Sequence, residues 1–273
     1  MTGDISGYRS ATARMMGTRI DANAREEVEE RLAEETPVTL AYNLSPHAVM
    51  MATPADLEDF AVGFSLTEGI VDRARDVERV GVVRYDRGIE LQIEVPAEAA
   101  ARSGTRSRRL SGRTGCGICG TADVDRVLRE LPRVEWPARF EPSAVLRAMR
   151  ELSARQPLND ETGAVHAAGW ARADGTLAQV REDVGRHNAL DKLVGALARS
   201  GTAVEQGFVV MTSRGSFELV QKVAILGAPL LATVSAPTAL AVRVAEQAGL
   251  TLAGFARGDR VTVYTHRDRV AGA

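Results

Sequence analysis

From Val165 to the C-terminus, patterns typical of strands alternate with patterns typical of helices, and this alternation constrains the fold more than any other feature. Chains built in this way form layered α/β domains in which at least part of the sheet is parallel. The sequence therefore predicts an α/β layer structure for this part. The predicted strands span residues 166–171, 177–182, 208–212, 230–234 and 261–266, and the predicted helices span residues 187–199, 216–226 and 238–247.

The preceding part of the chain is smaller and richer in strand patterns. Thr53 and Pro54 are expected to start a helix, as a capping hydroxyl and a first-turn proline, and Gly69 is expected to end it. The other elements predicted here are strands over residues 38–42, 47–51, 80–85 and 89–95, and a helix over residues 144–154.

These patterns divide the chain into three stretches. Residues 1–34 are polar and mixed in charge, so we expect a poorly structured or edge segment there, with firm structure from about Pro37. Residues 35–141 form the strand-rich N-terminal part, and residues 142–273 form the C-terminal α/β part. Residues 35–273 together are expected to make one domain.

Composition and charge disfavour several classes of protein. The chain has 34 Lys and Arg against 36 Asp and Glu, a net charge of −2, which argues against a general nucleic-acid binder. Residues 223–242 carry no charge and could span a membrane by length, but glycine, proline and serine interrupt them, so we expect a helix end, a buried strand and a turn. The start of the chain lacks a secretory signal pattern. We therefore expect a reduced, cytoplasmic protein.

Cys116 and Cys119 give the sharpest chemical signal in the sequence. As the chain's two cysteines, three positions apart, they cannot form the disulfide framework of a small secreted domain. From Ala99 to Ala122 there is no acidic residue, while five arginines and five glycines accumulate. This composition predicts a mobile, basic loop, in which nearby guanidinium groups favour the thiolate over the thiol.

The residues alone leave several kinds of site open for this CxxC pair. Structural zinc would need further ligands, and the candidates are His47, His166, His187 and His266 with a carboxylate. A zinc deaminase is poorly supported, because its upstream half-site and the proline before the CxxC are missing. A thioredoxin-like pair normally follows the first strand of a βαβ unit, and inert core cysteines rarely lie among glycines and arginines. A reactive thiolate on a flexible arm, suited to carrying a persulfide, fits the local sequence best.

Five further blocks agree, in order, with one known family. They are residues 162–168, 182–192, 213–218, 235–241 and 254–257. With the CxxC segment they make the chain resemble the FdhD family, sulfur carrier proteins required for formate dehydrogenase activity, from about residue 35 to the C-terminus.

The resemblance implies a cytidine-deaminase-like α/β fold, a homodimer, and the transfer of sulfur from a cysteine desulfurase to a molybdenum or tungsten cofactor. That cofactor carries two pterin guanine dinucleotides and enters the formate dehydrogenase apoenzyme afterwards. By position, Cys116 would carry the persulfide, and Cys119 would be the second cysteine of the motif. The cofactor is cargo in this scheme, so no permanently bound metal, nucleic acid or membrane partner is expected. The implied cofactor-binding residues are Phe255, Ala256, Arg257, Gly258, Asp259 and Arg260.

Three predicted strand-to-helix turns add glycines, arginines and helix N-termini that suit phosphate groups, at residues 185–188, 213–216 and 235–238. Each has a purely structural alternative. Ser216 or Thr238 could cap a helix, His187 could be a neutral histidine bonded to Asp183 or Asp191, Lys192 could form an exposed helical ion pair, and Glu218 could be a first-turn acid.

Three functions follow from these features. The first is a persulfide sulfurtransferase, in which Cys116 carries sulfur. The second is a chaperone that binds the cofactor without sulfur chemistry. The third is a CxxC thiol–disulfide oxidoreductase, which the surrounding sequence blocks disfavour.

Overall fold

The computed structural model describes residues 10–107, 131–135 and 139–272 of the chain. Within them, the strands make three β-sheets, accompanied by helices. The strands are β1 (Thr12–Ile20), β2 (Arg25–Ala33), β3 (Thr36–Tyr42), β4 (Ser45–Ala52), β5 (Arg79–Tyr85), β6 (Gly88–Glu94), β7 (His166–Arg172), β8 (Leu177–Asp183), β9 (Gly207–Met211), β10 (Leu230–Thr233), β11 (Thr251–Arg257) and β12 (Arg260–Val263). The helices are α1 (Leu57–Thr67), α2 (Ala97–Ser107), α3 (Pro142–Ser153), α4 (Pro157–Thr162), α5 (Arg186–Arg199), α6 (Phe217–Leu226) and α7 (Ala239–Ala248).

A six-stranded sheet forms the centre of the C-terminal part, in the order β12-β11-β10-β9-β7-β8. β9, β10 and β11 run parallel to one another. β7 runs antiparallel to both β8 and β9, so β8 points in the same direction as β9. Helices α5, α6 and α7 pack on one face of the sheet and α3 packs on the other. The predicted α/β layers and partly parallel sheet are therefore confirmed.

The predicted helices of this part are also confirmed, since α5, α6 and α7 begin within one residue of their expected starts. β11 is missed by the sequence patterns, because it is buried on both faces and its small residues do not alternate with polar ones. β12 ends before the predicted strand does, because the chain turns at His266, which has a left-handed backbone with φ 43°.

The uncharged stretch at residues 223–242 is divided between the end of α6, the buried strand β10 and the start of α7, as the sequence predicts. Over the part of the chain that the structure describes, no helix combines the length and apolar character needed to cross a membrane.

The N-terminal part contains a four-stranded sheet in the order β4-β3-β6-β5. Alternate residues of β3, Val38, Leu40 and Tyr42, face a core that includes Phe60 and Phe64 of α1. The predicted turns after β3 and between β5 and β6 are confirmed. α1 also ends as expected, with Gly69 in a left-handed conformation at φ 64°.

Two local predictions fail in this part. Thr53 does not cap α1; its Oγ1 accepts a hydrogen bond from the Val184 N–H at 3.1 Å instead. Residues 99–107, expected in the basic loop, belong to α2, whose alanine-rich first turns favour a helix. Residues 12–33, in the stretch expected as a poorly structured or edge segment, form the exposed hairpin β1–β2, with Arg14–Glu29 and Arg19–Glu30 ion pairs across it.

Two glycines let α1 and α5 cross in close contact. A Cβ at Gly63 would lie 1.7 Å from the Asp191 carbonyl oxygen, and one at Gly195 would lie 1.9 Å from the Asp59 carbonyl oxygen. These obstacles are backbone atoms, which cannot move away by changing rotamer. At the same junction, Arg199 Nη1 binds Asp59 Oδ1 at 2.5 Å and Arg181 Nη2 binds Asp59 Oδ2 at 2.7 Å. The helix pair therefore joins the N-terminal sheet to the C-terminal layers.

This packing predicts that Gly195→Ala destabilises the fold. Overpacking typically costs 1–3 kcal/mol, so we expect the free energy of unfolding to fall by about 2–3 kcal/mol in urea denaturation followed by circular dichroism. Gly17→Ala in β1 is the matched control, because a Cβ there meets no atom within 4 Å, and its effect should stay within about 0.5 kcal/mol. Equal unfolding midpoints for the two variants would contradict the close helix crossing.

Candidate functional site

The carboxyl ends of four strands meet at one edge of the six-stranded sheet. β8, β9 and β10 each lead into a helix there, and β11 leads into a tight turn to β12. Ligands of α/β sheets commonly bind at such an edge, because loops and helix N-termini converge on it. We call this region the carboxyl edge.

The three strand-to-helix turns identified in the sequence all lie at the carboxyl edge. Gly185 precedes α5, Ser216 precedes α6 and Thr238 precedes α7. Backbone hydrogen bonds join the second turn to the third. The Gly215 N–H donates to the Ala236 carbonyl at 3.2 Å, and the Thr238 N–H donates to the Gly215 carbonyl at 2.9 Å. The turns before α6 and α7 are therefore joined through their backbones.

The implied cofactor-binding stretch reaches the same edge at the end of β11. The Phe255 N–H donates to the Ser235 carbonyl at 3.2 Å, next to the turn before α7. Phe255 has a left-handed backbone with φ 51° at a bulge in the β11–β12 pairing, and Ala256 is fully buried. The remaining residues, Arg257, Gly258, Asp259 and Arg260, are exposed at the tip of the β11–β12 hairpin. The structure thus brings the whole stretch to the carboxyl edge.

A buried ion pair fixes the turn before α5. Lys192 Nζ lies 2.6 Å from Asp183 Oδ2, and both side chains are 0% exposed. Asp183 also accepts hydrogen bonds from the Thr53 N–H, the Gly185 N–H and the Asn188 side-chain amide, at 3.0, 2.8 and 3.0 Å. The alternative of an exposed ion pair for Lys192 is therefore wrong, because the segment around Thr53, between β4 and α1, covers this face of α5. We call it the Thr53 segment, and the Thr53 carbonyl accepts a hydrogen bond from Lys192 Nζ at 2.9 Å.

His187 points across the carboxyl edge towards α6. Its side chain is 8% exposed, and Nε2 lies 3.8 Å from Oε2 of Glu218, longer than a hydrogen bond. The carboxylates of Asp183 and Asp191 are bonded to Lys192 and Lys222 instead. The alternative that His187 is bonded to Asp183 or Asp191 is therefore wrong.

Glu218 lies in the first turn of α6, as the sequence suggests. Burial would raise the pKa of its carboxyl group, but the neighbouring side chains of His187 and Ser216 and its own backbone N–H together lower the pKa to about 2. Glu218 is therefore negatively charged at neutral pH.

Three buried polar atoms at this edge have no hydrogen-bond partner among the described residues. They are Arg186 Nε, His187 Nε2 and Ser216 Oγ. Ser216 precedes α6 without capping it, whereas the Thr238 hydroxyl accepts from the Ala241 N–H at 3.2 Å and caps α7. The capping alternative is therefore confirmed for Thr238 and wrong for Ser216. Buried polar atoms are nearly always bonded, so the three unbonded atoms indicate a place where a ligand can bind.

A second buried charge cluster escaped the sequence analysis. Lys222 of α6 donates to Asp191 Oδ1 at 2.9 Å, to Thr67 Oγ1 at 2.9 Å and to Glu68 Oε1 at 3.1 Å. Burial alone would lower the pKa of Lys222, but the carboxylates of Asp191 and Glu68 raise it. The sequence feature that could have indicated this cluster is a single lysine, Lys222, in the mainly apolar helix α6 between Val220 and Val223. The cluster joins α1, α5 and α6.

Cys116 and Cys119 lie outside the described residues, so their roles stay predictions. Among the residues that the structure does describe, no cluster of three or more His, Cys, Asp or Glu side chains could hold a metal ion. Two of the candidate zinc ligands have other neighbours. His47 Nδ1 lies 3.2 Å from the Ser103 carbonyl oxygen, and His266 Nε2 lies 3.1 Å from the Glu246 carbonyl oxygen.

Comparison with known proteins agrees with the resemblance seen in the sequence. The model of the FdhD/NarQ family matches residues 33–271. The chain belongs to the FdhD/NarQ family. The sulfur carrier protein FdhD of Xanthomonas campestris pv. campestris (strain B100) is 54% identical over 243 residues, which cover 89% of this chain and 86% of the relative. The sulfur carrier protein FdhD of Cupriavidus necator is 55% identical, over 88% of this chain and 84% of the relative.

A solved structure from Desulfotalea psychrophila, described as a formate dehydrogenase accessory protein, is similar in fold. The TM-score is 0.75 at 25% identity, over 95% of this chain and 99% of that one. The mixed α/β fold is therefore shared with an FdhD-type structure. Its finer assignment as cytidine-deaminase-like stays a prediction. The family match begins at residue 33, where β2 ends, so most of the β1–β2 hairpin precedes the family region.

The charges at the carboxyl edge predict the titration of His166, which begins β7 at this edge. Burial lowers its pKa below 6.5, and the nearby Arg186 guanidinium lowers it further. A histidine NMR titration should therefore give a midpoint below 6.5, and Arg186→Gln should move it upwards. The contribution of His166 to stability is then present above pH 6.5 and is lost as the pH falls through the folded pKa.

Arg172→Gln is the control for this titration, because Arg172 ends β7 at the opposite edge of the sheet, opposite Gly207 of β9. It should leave the His166 midpoint unchanged. A midpoint at or above 6.5 in the unsubstituted chain, or the same midpoint after Arg186→Gln, would show that the charge arrangement is wrong.

Proposed function

We propose that this chain is a sulfurtransferase of the persulfide-carrier type. It accepts sulfur from a cysteine desulfurase on Cys116 and transfers it to a molybdenum or tungsten cofactor with two pterin guanine dinucleotides, before that cofactor enters formate dehydrogenase. One observation carries the proposal. The family match over residues 33–271 contains Cys116 and Cys119, and the relatives that align over most of their length are named sulfur carrier proteins.

The loading step is an exchange between a thiolate and a persulfide. The Cys116 thiolate attacks the outer sulfur of the desulfurase persulfide, the donor S–S bond breaks, and the desulfurase cysteine leaves as a thiolate. One S–S bond forms as another breaks, so the step needs no external oxidant or reductant. Arg109 and Arg113 precede Cys116 in sequence, and positive charge near a cysteine increases its thiolate fraction.

The cargo would bind at the carboxyl edge. A cofactor with two guanine dinucleotides carries several phosphate groups, which helix N-termini and arginine guanidinium groups bind well. The carboxyl edge offers the N-termini of α5 and α6, with Arg257 and Arg260 on the neighbouring hairpin. These features support a cofactor site that includes Phe255, Ala256, Arg257, Gly258, Asp259 and Arg260.

The partners implied by this role are a cysteine desulfurase and the formate dehydrogenase apoenzyme. We further propose a homodimer that works in the cytoplasm and holds no metal of its own. Cys119 is proposed as a second thiol of the loading site, next in sequence to Gly120.

A cofactor chaperone without sulfur chemistry is the second candidate function. The unbonded polar atoms at the carboxyl edge favour it, because they indicate ligand binding whatever the cysteines do. In that case both cysteines could be replaced without loss of cofactor delivery.

Sulfur loading gives the direct test of the proposed function. Reduced full-length chain, incubated with an active cysteine desulfurase and cysteine, should gain one sulfur atom, which peptide mapping places on Cys116. Cys116→Ala should abolish this gain because it removes the accepting thiolate, whereas Cys119→Ala should retain sulfur on Cys116. Full loading of Cys116→Ala would refute the assignment of Cys116. No gained sulfur would favour the chaperone, and a product two hydrogens lighter would indicate a CxxC disulfide.

The cargo site gives a second prediction. The double variant Arg257→Gln/Arg260→Gln should weaken GDP binding about tenfold, because it removes charge-assisted contacts to phosphate, and calorimetry would measure the change. Arg172→Gln removes an exposed arginine at the opposite edge of the sheet and should have no effect. Equal affinities for both variants would place the phosphates away from the hairpin.

A further inference from the structure

The β1–β2 hairpin has a long strand edge that pairs with no other described strand. β1 and β2 have 9 residues each, and they make a two-stranded sheet of their own. β1 pairs with β2 from Thr12 to Ile20 without a bulge, and it contains no proline and no acidic residue. Bulges, prolines and repelling charges are the features that keep a free edge from pairing with another strand. The outer edge of β1 is therefore suited to pairing between chains.

The two strands of the hairpin differ in charge and in surroundings. β2 contacts α4, where Arg31 Nη1 lies 2.7 Å from Glu161 Oε2. β2 also carries four glutamates, two of which bind the two arginines of β1. In β1, by contrast, every residue from Arg14 to Ile20 is exposed. Pairing of two β2 strands would bring glutamates together, so β1 is the better edge for pairing with a second copy.

The hydrogen bonds at the two ends of the hairpin show which backbone groups of β1 point outward. The Glu34 N–H donates to the Ala11 carbonyl at 2.9 Å, and the Asp21 N–H donates to the Ala24 carbonyl at 3.1 Å. Hydrogen-bonded pairs alternate along antiparallel strands, so the odd-numbered residues of β1 are the ones that bond to β2. The N–H and C=O groups of its even-numbered residues therefore point away from β2.

A two-fold axis at Met16 would bring two such edges together along their whole length. Met16 is the middle residue of β1, so antiparallel pairing about it uses all 9 residues of both strands. Even-numbered residues then lie opposite even-numbered residues, and their outward N–H and C=O groups can bond to each other. Arg14 lies opposite Thr18 of the second copy, and Arg19 lies opposite Ala13. No two arginines face each other, so this register avoids the repulsion of like charges directly opposite.

The exposed apolar side chains of β1 fit the same register. Met15, Met16 and Ile20 are 52, 67 and 65% exposed. About the axis, Met16 lies opposite Met16 of the second copy, so the two side chains can pack together. Met15 lies opposite Gly17 of the second copy, which has no side chain and has free space around its Cα, since a Cβ there would meet no atom within 4 Å. Pairing would thus remove apolar surface from water without a clash.

We propose that β1 pairs with β1 of a second copy of this chain, about a two-fold axis at Met16, and that the two hairpins form one four-stranded sheet. We call this contact the β1 interface. A two-stranded hairpin alone is marginally stable in water, and further strands stabilise it. Most of the hairpin precedes residue 33, where the family match begins, so the β1 interface is a feature of this chain beyond the family region. It rests on the proposed function in one respect, the homodimer, for which it names the contact surface.

Disulfide cross-linking tests the register of the β1 interface. Residues in a hydrogen-bonded antiparallel pair have Cα atoms about 5.5 Å apart, within the range of roughly 4.4–6.8 Å that a disulfide spans. In the full-length chain with both native cysteines replaced by alanine, Met16→Cys should therefore give a disulfide-linked dimer under mild oxidation, detected on a non-reducing gel. Thr18→Cys is the matched control. Its two copies would lie four positions apart along the sheet, roughly 14 Å, and should not cross-link.

Sedimentation of the full-length chain tests the strength of the β1 interface. Met16→Lys should raise the dissociation constant of the dimer about tenfold, because two lysines would face each other at the axis and the apolar contact would be lost. Val49→Lys is the matched control, since Val49 is 53% exposed on β4, an edge strand of the N-terminal sheet. It adds the same charge to a different edge and should leave the dissociation constant unchanged. Both side chains are exposed, so neither variant should lower the free energy of unfolding.

Several outcomes would overturn the β1 interface. They are a monomeric full-length chain, a cross-link through Thr18→Cys in place of Met16→Cys, and equal dissociation constants for Met16→Lys and Val49→Lys. Oligomers that keep growing with concentration would also overturn it, because they would indicate head-to-tail pairing of β1 with β2. None of these measurements uses the desulfurase or the cofactor, so the sulfur loading of Cys116 succeeds or fails as a separate result.

Discussion

The buried ion pair between Asp183 and Lys192 determines how the two parts of the chain meet. Two fully buried charges are costly unless every polar atom is bonded. Here the carboxylate of Asp183 accepts from Lys192 and three further donors, and Lys192 also donates to the Thr53 carbonyl. One set of bonds therefore ends β8, holds the turn that starts α5, and anchors the Thr53 segment that leads into α1. The first turn of α5, with Arg186 and His187, owes its position to this pair.

The contact between α1 and α5 also joins the N-terminal part to the C-terminal part, along the length of both helices. Gly63 and Gly195 let the backbones approach, while Asp59 binds Arg181 and Arg199 near one end of the interface. Near the other end, the Lys222 cluster ties α1 and α5 to α6. Ion pairs at both ends and close backbone contact between them leave few alternative arrangements. The strand-rich N-terminal part thus acts as a support for the helices that build the carboxyl edge.

The sequence predicts the elements of this fold better than their connections. Sequence patterns locate α5, α6 and α7, since each helix follows a strand and a strand-to-helix turn. They miss β11, which is buried on both faces, and the β1–β2 hairpin, which is exposed on both. Lys192 shows the limit for the site. Its position on a predicted helix says that it can pair with a carboxylate, but only the fold shows that the Thr53 segment covers it. The unbonded state of Ser216 is likewise a three-dimensional fact.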